Sequence, residues 1–248
     1  MRYFIHFSYN GTHYHGWQIQ PNAISVQETL NKALSLILQK DIFIHGAGRT
    51  DTGVHAKEMY AHFDVEEALN KSNLIYKLNA FLPHDLVIFD IFEVKAAFHS
   101  RFNAKKRTYE YHLHTYKNAF LENQSWYFQK KLNLELMNQA ATKLLEHTDF
   151  EAFSKVHTDV GTFNCKIYEA FWTLHENQLV FTISADRFLR NMVRAIVGTL
   201  INVGLQKIDI QQFEAIIASK NRTKAGFSVP AHGLYLTQIC YDFENNTL

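Results

Sequence analysis

The sequence predicts an α+β fold: two similar α/β-sandwich halves whose mostly antiparallel sheets join into one extended sheet, with helices on one face. Three observations carry this expectation. Strand-like alternation recurs along all 248 residues, amphipathic helical stretches interrupt it in each half, and the element order of residues 1–103 is repeated in outline over residues 104–248. The chain has only 10 Gly and 3 Pro and no stretch of them at the middle, so the halves are expected to share a sheet edge rather than to swing on a linker.

The first half opens with RYFIHFSY, a strand. Ser25 and Glu28 stand at capping-box spacing, in which each side chain satisfies the other residue's free backbone donor, so a helix is expected to start there. Val26, Leu30, Ala33, Leu34, Ile37 and Leu38 give it one apolar face. Asp41 to His45 returns as a strand; Met59, Ala61, Phe63 and Val65 alternate as a second; a short helix over Asn70 to Leu78 precedes a strand from Leu86 to Val94. The second half runs strand RTYEYHLHTY, helix Leu134 to Leu145, strands Lys166 to Leu174 and Leu179 to Ala185, and helix Phe188 to Val203 with Gly204 as its stop. A helix capped by Asp209 and a strand from Leu234 to Tyr241 close the chain.

Composition narrows the function classes. With 47% hydrophobic and 20% charged residues the chain is a globular protein, not a disordered or fibrous one. Cys165 and Cys240 are far apart and form no CxxC pair, which points away from a disulfide framework and a thiolate metal site. No run of eighteen apolar residues occurs and the first residues show no secretory apolar region, so the expectation is a cytoplasmic protein with no membrane partner. Net charge is +1, yet Arg101 to Arg107 (RFNAKKR) and the set Arg187, Arg190 and Arg194 are locally basic. On a helix those three arginines would share one face, commonly a solvated one.

The sharpest motif is the loop from Gly46 to Gly53, GAGRTDTG, between two strands. It lacks the Gly-Lys-Ser/Thr end of a Walker A loop, and Asp51 stands where a dinucleotide fingerprint needs glycine. What remains is close backbone approach at the glycines and one carboxylate near one guanidinium, whose charge favours the ionised acid. That describes either a poised nucleophile or base, or a structural turn in which Arg49 pairs with Asp51; spacing leaves both open.

GRTDTGVH (Gly48 to His55) resembles the signature of the tRNA pseudouridine synthase A family, and the resemblance extends to Tyr9–Gln18, Lys106–Tyr111, Phe188–Arg194 and Gly233–Leu236. These five ordered motifs span nearly the whole chain. The resemblance implies an isomerase that converts uridine to pseudouridine in the anticodon stem-loop of tRNA, at nucleotides 38 to 40, with Asp51 as nucleophile on ribose C1′ or base C6 and with no cofactor or metal. It implies that Tyr109 lies against the target base, that Arg194 orients Asp51, that Leu234 forms an apolar floor under the uracil, and that Arg49 fills the space of a flipped nucleotide or holds a phosphate. It also implies an RNA-binding cleft and a homodimer. Three positions depart from the family pattern: Ala185-Asp186-Arg187, His15, and Lys166 where arginine is expected.

Other readings remain beside it. Tyr109 alternates with Tyr111 in a strand and suits simple sheet packing as well as a ligand contact. His13/His15 and His112/His114 have a spacing that places each pair on one side of a strand, but no third metal ligand follows, and a zinc deaminase would need H-x-E and P-C-x-x-C. A non-catalytic RNA-binding or chaperone module, or a synthase for another RNA, would share the fold.

Overall fold

The computed structural model describes residues 1–155 and 161–248. The chain divides into two compact units, one built from Met1–Lys105 with Leu236–Leu248 and the other from Lys106–Tyr235. The first therefore takes in the C-terminal tail, which a division at residue 103 groups with the second half.

In the first unit, β1 (Arg2–Tyr9) lies between β3 (His55–Asp64) and β4 (Leu86–Val94), antiparallel to both. The two-residue β2 (His45–Gly46) also pairs antiparallel with β3, and β9 (Leu234–Cys240) is hydrogen-bonded to β3 as well. Alternation along β1 explains how both sheet faces are covered. Tyr3, Ile5, Phe7 and Tyr9 share one face and are buried, and the Tyr3 hydroxyl accepts from Leu69 N–H on that side. Phe4 points the other way, with ring centroids 5.0 Å from Phe98 and 5.6 Å from Tyr241, so the returning tail completes a second aromatic core.

Helix α1 (Val26–Leu38) buries Val26, Leu30, Ala33 and Leu34, the face expected from periodicity. Its capping box is only half made: Ser25 accepts from Glu28 N–H, whereas the Glu28 carboxylate pairs with Lys32 one turn on. The expected strand over Asp41 to His45 is reduced to β2. Side chains of α1 take the hydrogen bonds a strand partner would have taken: Ile42 N–H donates to Ser35 Oγ (2.9 Å), Ile44 N–H to Asn31 Oδ1 (3.0 Å), and the Ile44 carbonyl accepts from Gln27 Nε2 (2.8 Å). Helix α2 (Lys71–Phe81) is capped by Asn70 and buries Leu74 and Leu78.

In the second unit, β8 (Gln178–Ala185) lies antiparallel between β5 (Lys106–His114) and β7 (Ile167–His175), and a short β6 (Trp126–Tyr127) joins β5 in parallel. Helix α3 (Leu134–Lys143) continues as a single 3-10 turn over Leu144–Glu146. Helix α4 covers Met192–Gly204, not Phe188 onward. Asn191 is left-handed (φ 67°) and the Arg190 carbonyl accepts from Lys155 N–H, so residues 187–190 never enter the helix and only Arg194 of the three arginines lies on it. Gly204 is not the stop either. It sits in the last turn with its carbonyl accepting from Asn133 N–H, and the left-handed residue that ends the run is Gln206 (φ 55°). Helix α5 (Ile210–Ala218) begins with the full reciprocal box, Asp209 with Gln212. Among the described residues no helix is long and apolar enough to cross a membrane.

His62 on β3 is 1% exposed, with Nδ1 2.9 Å from Ser100 Oγ and its ring among those of His45 and His99. Burial first, and then the charges of Arg2, His99 and His45, push its pKa down to about 3. A base depressed in the folded state is protonated preferentially on unfolding, so its contribution is complete above the ordinary histidine range and is lost as pH falls from 6.5 towards 3. Urea midpoints measured between about pH 7 and about pH 4.5 are expected to fall by up to about 1.4 kcal/mol of stability per pH unit from this group, and His62→Asn is expected to flatten that slope.

Candidate active site

The loop that follows β2 is held on each side by the segment that follows β1. Ala47 N–H still donates to Tyr60 O (2.8 Å), continuing the β2–β3 pairing. Beyond it, Thr50 O accepts from Trp17 N–H (3.3 Å), Gly53 N–H donates to Tyr14 O (3.2 Å), and the Tyr9 hydroxyl meets Thr50 Oγ1 (2.8 Å). The loop closes on itself through Val54 N–H to Asp51 O (3.1 Å), with Gly53 at φ 78°. Gly11 N–H donates to Nδ1 of the buried His55 (3.0 Å), which uses the final histidine of the GRTDTGVH motif as an acceptor.

Three glycines make this approach possible. A Cβ on Gly11 would sit 2.0 Å from Val54 O, one on Gly16 2.3 Å from Thr50 O, and one on Gly46 2.4 Å from the Trp17 ring. Gly16 also has φ +80°, where a side chain is disfavoured. The same segment reaches α1: Gly16 O and Trp17 O accept from Val26 and Gln27 N–H, so orphan donors of the helix start are satisfied by the chain that clamps the loop. Asp51 is half-buried on this fixed backbone and Arg49 is exposed, with its Nε–H donating to Gln18 Oε1 (3.3 Å).

In the second unit, Tyr109 lies on β5 opposite Ile183, half-buried, with its ring edge-on to Phe188 at 5.1 Å. Arg194, in the first turns of α4, is tied twice to Val229: its Nε–H donates to Val229 O (2.7 Å) and its carbonyl accepts from Val229 N–H (3.3 Å). That loop lies hard on α4, because a Cβ on Gly198 would meet Phe227 O at 1.8 Å and Gly226 N–H donates to Thr199 Oγ1. Leu234 opens β9, 6% exposed, directly after Gly233, whose Cα must stay bare because a Cβ there would lie 2.7 Å from the Tyr111 ring. Tyr111 donates to Pro230 O (2.9 Å), and burial raises its phenol pKa far above the ordinary value. Arg49 and Asp51 thus both lie on the clamped loop of the first unit, and Tyr109, Arg194 and Leu234 belong to the second.

Two of the departures from the family pattern, Ala185-Asp186-Arg187 and Lys166, have local roles. Asp186 accepts from Lys166 N–H and Arg187 N–H through one carboxylate oxygen, joining the start of β7 to the end of β8, and Lys166 Nζ stands 5.7 Å over the Tyr168 ring. Of the paired histidines, His112 and His114 are occupied otherwise: His112 Nε2 lies 2.9 Å from Glu110 Oε2 and His114 Nδ1 3.0 Å from Ser125 Oγ. Among the described residues no three His, Cys, Asp or Glu side chains converge as a metal-binding group. Sequence reasoning passed over Gln18 and Gln27; the signal available was a buried glutamine on the apolar face of an amphipathic helix.

A family model described as tRNA pseudouridine synthase matches residues 5–103 and 140–242. The chain is 51% identical over 245 residues to tRNA pseudouridine synthase A of Bacteroides fragilis, covering 98% of this chain and 97% of the relative. It is 50% identical over 244 residues to the protein of the same name from Porphyromonas gingivalis, covering 97% of each. The one from Thermoanaerobacter pseudethanolicus is 40% identical over 235 residues, covering 94% and 96%.

The clamp generates a direct expectation. Gly16→Ala combines a left-handed φ with a clash against the Thr50 carbonyl, so it should cost at least roughly 2 kcal/mol in urea unfolding, whereas Thr12→Ala in the same segment should cost about 1 kcal/mol or less.

Proposed function

The chain belongs to the tRNA pseudouridine synthase family, and on that premise we propose that Asp51 is the nucleophile with which this isomerase acts on uridines of the tRNA anticodon stem-loop. Isomerisation of a tRNA uridine is the activity of the family. Its atom balance is simple: the bond from C1′ to N1 breaks, one from C1′ to C5 forms, the proton on C5 leaves and N1 gains one. Nothing is oxidised, so a carboxylate nucleophile and a proton acceptor are sufficient.

The observation that supports this reading is the pinned loop. Its backbone is held by Trp17, Tyr14 and the Ala47–Tyr60 bond, while the Asp51 side chain that it presents stays half-exposed. A nucleophile gains rate from such fixed placement, because the entropy of positioning is spent on folding instead of in the transition state. We assign Tyr109 to stack on the target base and take the C5 proton, Arg194 to orient the Asp51 carboxylate, and Leu234 to floor the uracil. Arg49 is assigned to the gap left by the flipped nucleotide or to a neighbouring phosphate. The reading includes a homodimer working in the cytoplasm.

Tritium release from C5-labelled uridine in tRNA measures the reaction. Asp51→Asn is expected to lower it by at least about 10³-fold while tRNA affinity stays within about threefold of the parent; a variant that modifies as fast as the parent defeats the assignment, and a parent that releases no tritium from any tRNA leaves a binding module instead. Saturating EDTA is expected to leave the rate unchanged, and loss of activity restored by added zinc would end the metal-free reading.

A further inference from the structure

We infer that Gln18 and Gln27 are positioning residues for Arg49, forming a one-way hydrogen-bond relay from the buried start of α1 out to the guanidinium. The inference rests on the role proposed above for Arg49 and adds how that arginine is held. Gln27 is the inner end, 3% exposed. Its Nε2 donates to Ile44 O (2.8 Å), while its Oε1 accepts from Ile19 N–H (3.1 Å) and from Gln18 Nε2 (3.1 Å). Gln18 Oε1 then accepts from Arg49 Nε–H (3.3 Å).

Direction is imposed by the backbone partners. A carbonyl only accepts and an amide N–H only donates, so Ile44 O and Ile19 N–H admit a single orientation of the Gln27 amide. That orientation presents an acceptor to Gln18, which must answer with its NH₂ and so turn its oxygen towards Arg49. An arginine has only donors to offer, so a reversed Gln18 would face oxygen with oxygen at one end and donor with donor at the other. The chain of amides therefore has one low-energy state, and stiffness falls outward from buried Gln27 through half-buried Gln18 to exposed Arg49.

The geometry also selects how Arg49 meets RNA. Gln18 occupies Nε–H, which belongs to the side-on pair of guanidinium donors, and leaves the end-on pair of Nη groups for a phosphate or for the edge of a displaced base. Without the relay, Arg49 keeps its charge but samples many rotamers, so encounter with RNA should persist while the aligned state becomes rarer.

The test is steady-state tritium release by the full chain with unmodified tRNA. Gln18→Met keeps the volume and removes both hydrogen bonds; kcat is expected to fall about 3- to 10-fold, with KM within about twofold and the melting temperature near the parent's. Gln18→Glu keeps the acceptor for Arg49 but turns a carboxylate oxygen towards Gln27 Oε1, so kcat is expected to stay below the parent's; full recovery would overturn the inner link of the relay. In an Arg49→Ala background, Gln18→Met is expected to cause no further loss, because the two act as one unit. Parental kcat in Gln18→Met while Arg49→Ala is impaired, or an equal loss in both backgrounds, overturns the relay and leaves the role of Arg49 standing. Parental activity in Arg49→Ala overturns that role and the relay with it.

Discussion

The site depends on the contact between two stretches of backbone, Tyr9–Gln18 and Gly46–His55. A glycine-rich loop is costly to order because its residues have the most conformational freedom to lose. Here the cost is met by bonds from outside the loop: Trp17 N–H on Thr50 O, Tyr14 O on Gly53 N–H, and the Tyr9 hydroxyl on Thr50. The clamping segment is itself anchored, since Gly16 and Trp17 carbonyls cap the first donors of α1. Helix start, clamp and loop thus form one connected hydrogen-bonded body, which fixes the backbone beneath Arg49 and Asp51.

A parallel logic holds in the second unit, with close packing in place of a clamp. Gly198 and Gly226 let the 226–230 loop touch α4, and the loop returns the contact by fixing Arg194 through both its carbonyl and its Nε. Gly233 lies under the Tyr111 ring and sets the start of β9 at Leu234. In both units the polar side chains of interest sit on backbone whose position is decided by a missing Cβ. This gives the glycines of the motifs that resemble the family a structural reason to recur.

Much of the fold was legible in local pattern. Strands β1, β3, β5 and β9 were all legible, β3 and β5 through their period-two alternation, and the spacing of Val26, Leu30, Ala33 and Leu34 marked the buried face of α1. Asp209 announced α5 because a cap is a contact between residues three apart. The segment from Asp41 to Ile44 misled because alternation reports burial, not hydrogen-bond partner: Ile42 and Ile44 are buried as expected, but Ser35, Asn31 and Gln27 replace the neighbouring strand. The start of α4 misled for a similar reason, since the apolar period continues through Phe188 and Leu189 while a left-handed Asn191 breaks the helix that it suggests.

For the site itself, the sequence alone singled out Asp51 and Arg49, because an acid and a base two residues apart in a glycine-bounded loop are a local fact. Motif order supplied the family. What tertiary structure decided is how those residues are held: which carbonyls clamp the loop, which glycines must stay bare, and that a buried glutamine on α1 reaches Arg49 through Gln18. Such contacts join residues from about ten to more than a hundred positions apart, and no periodicity encodes them, because a contact between distant segments depends on where the chain returns in space.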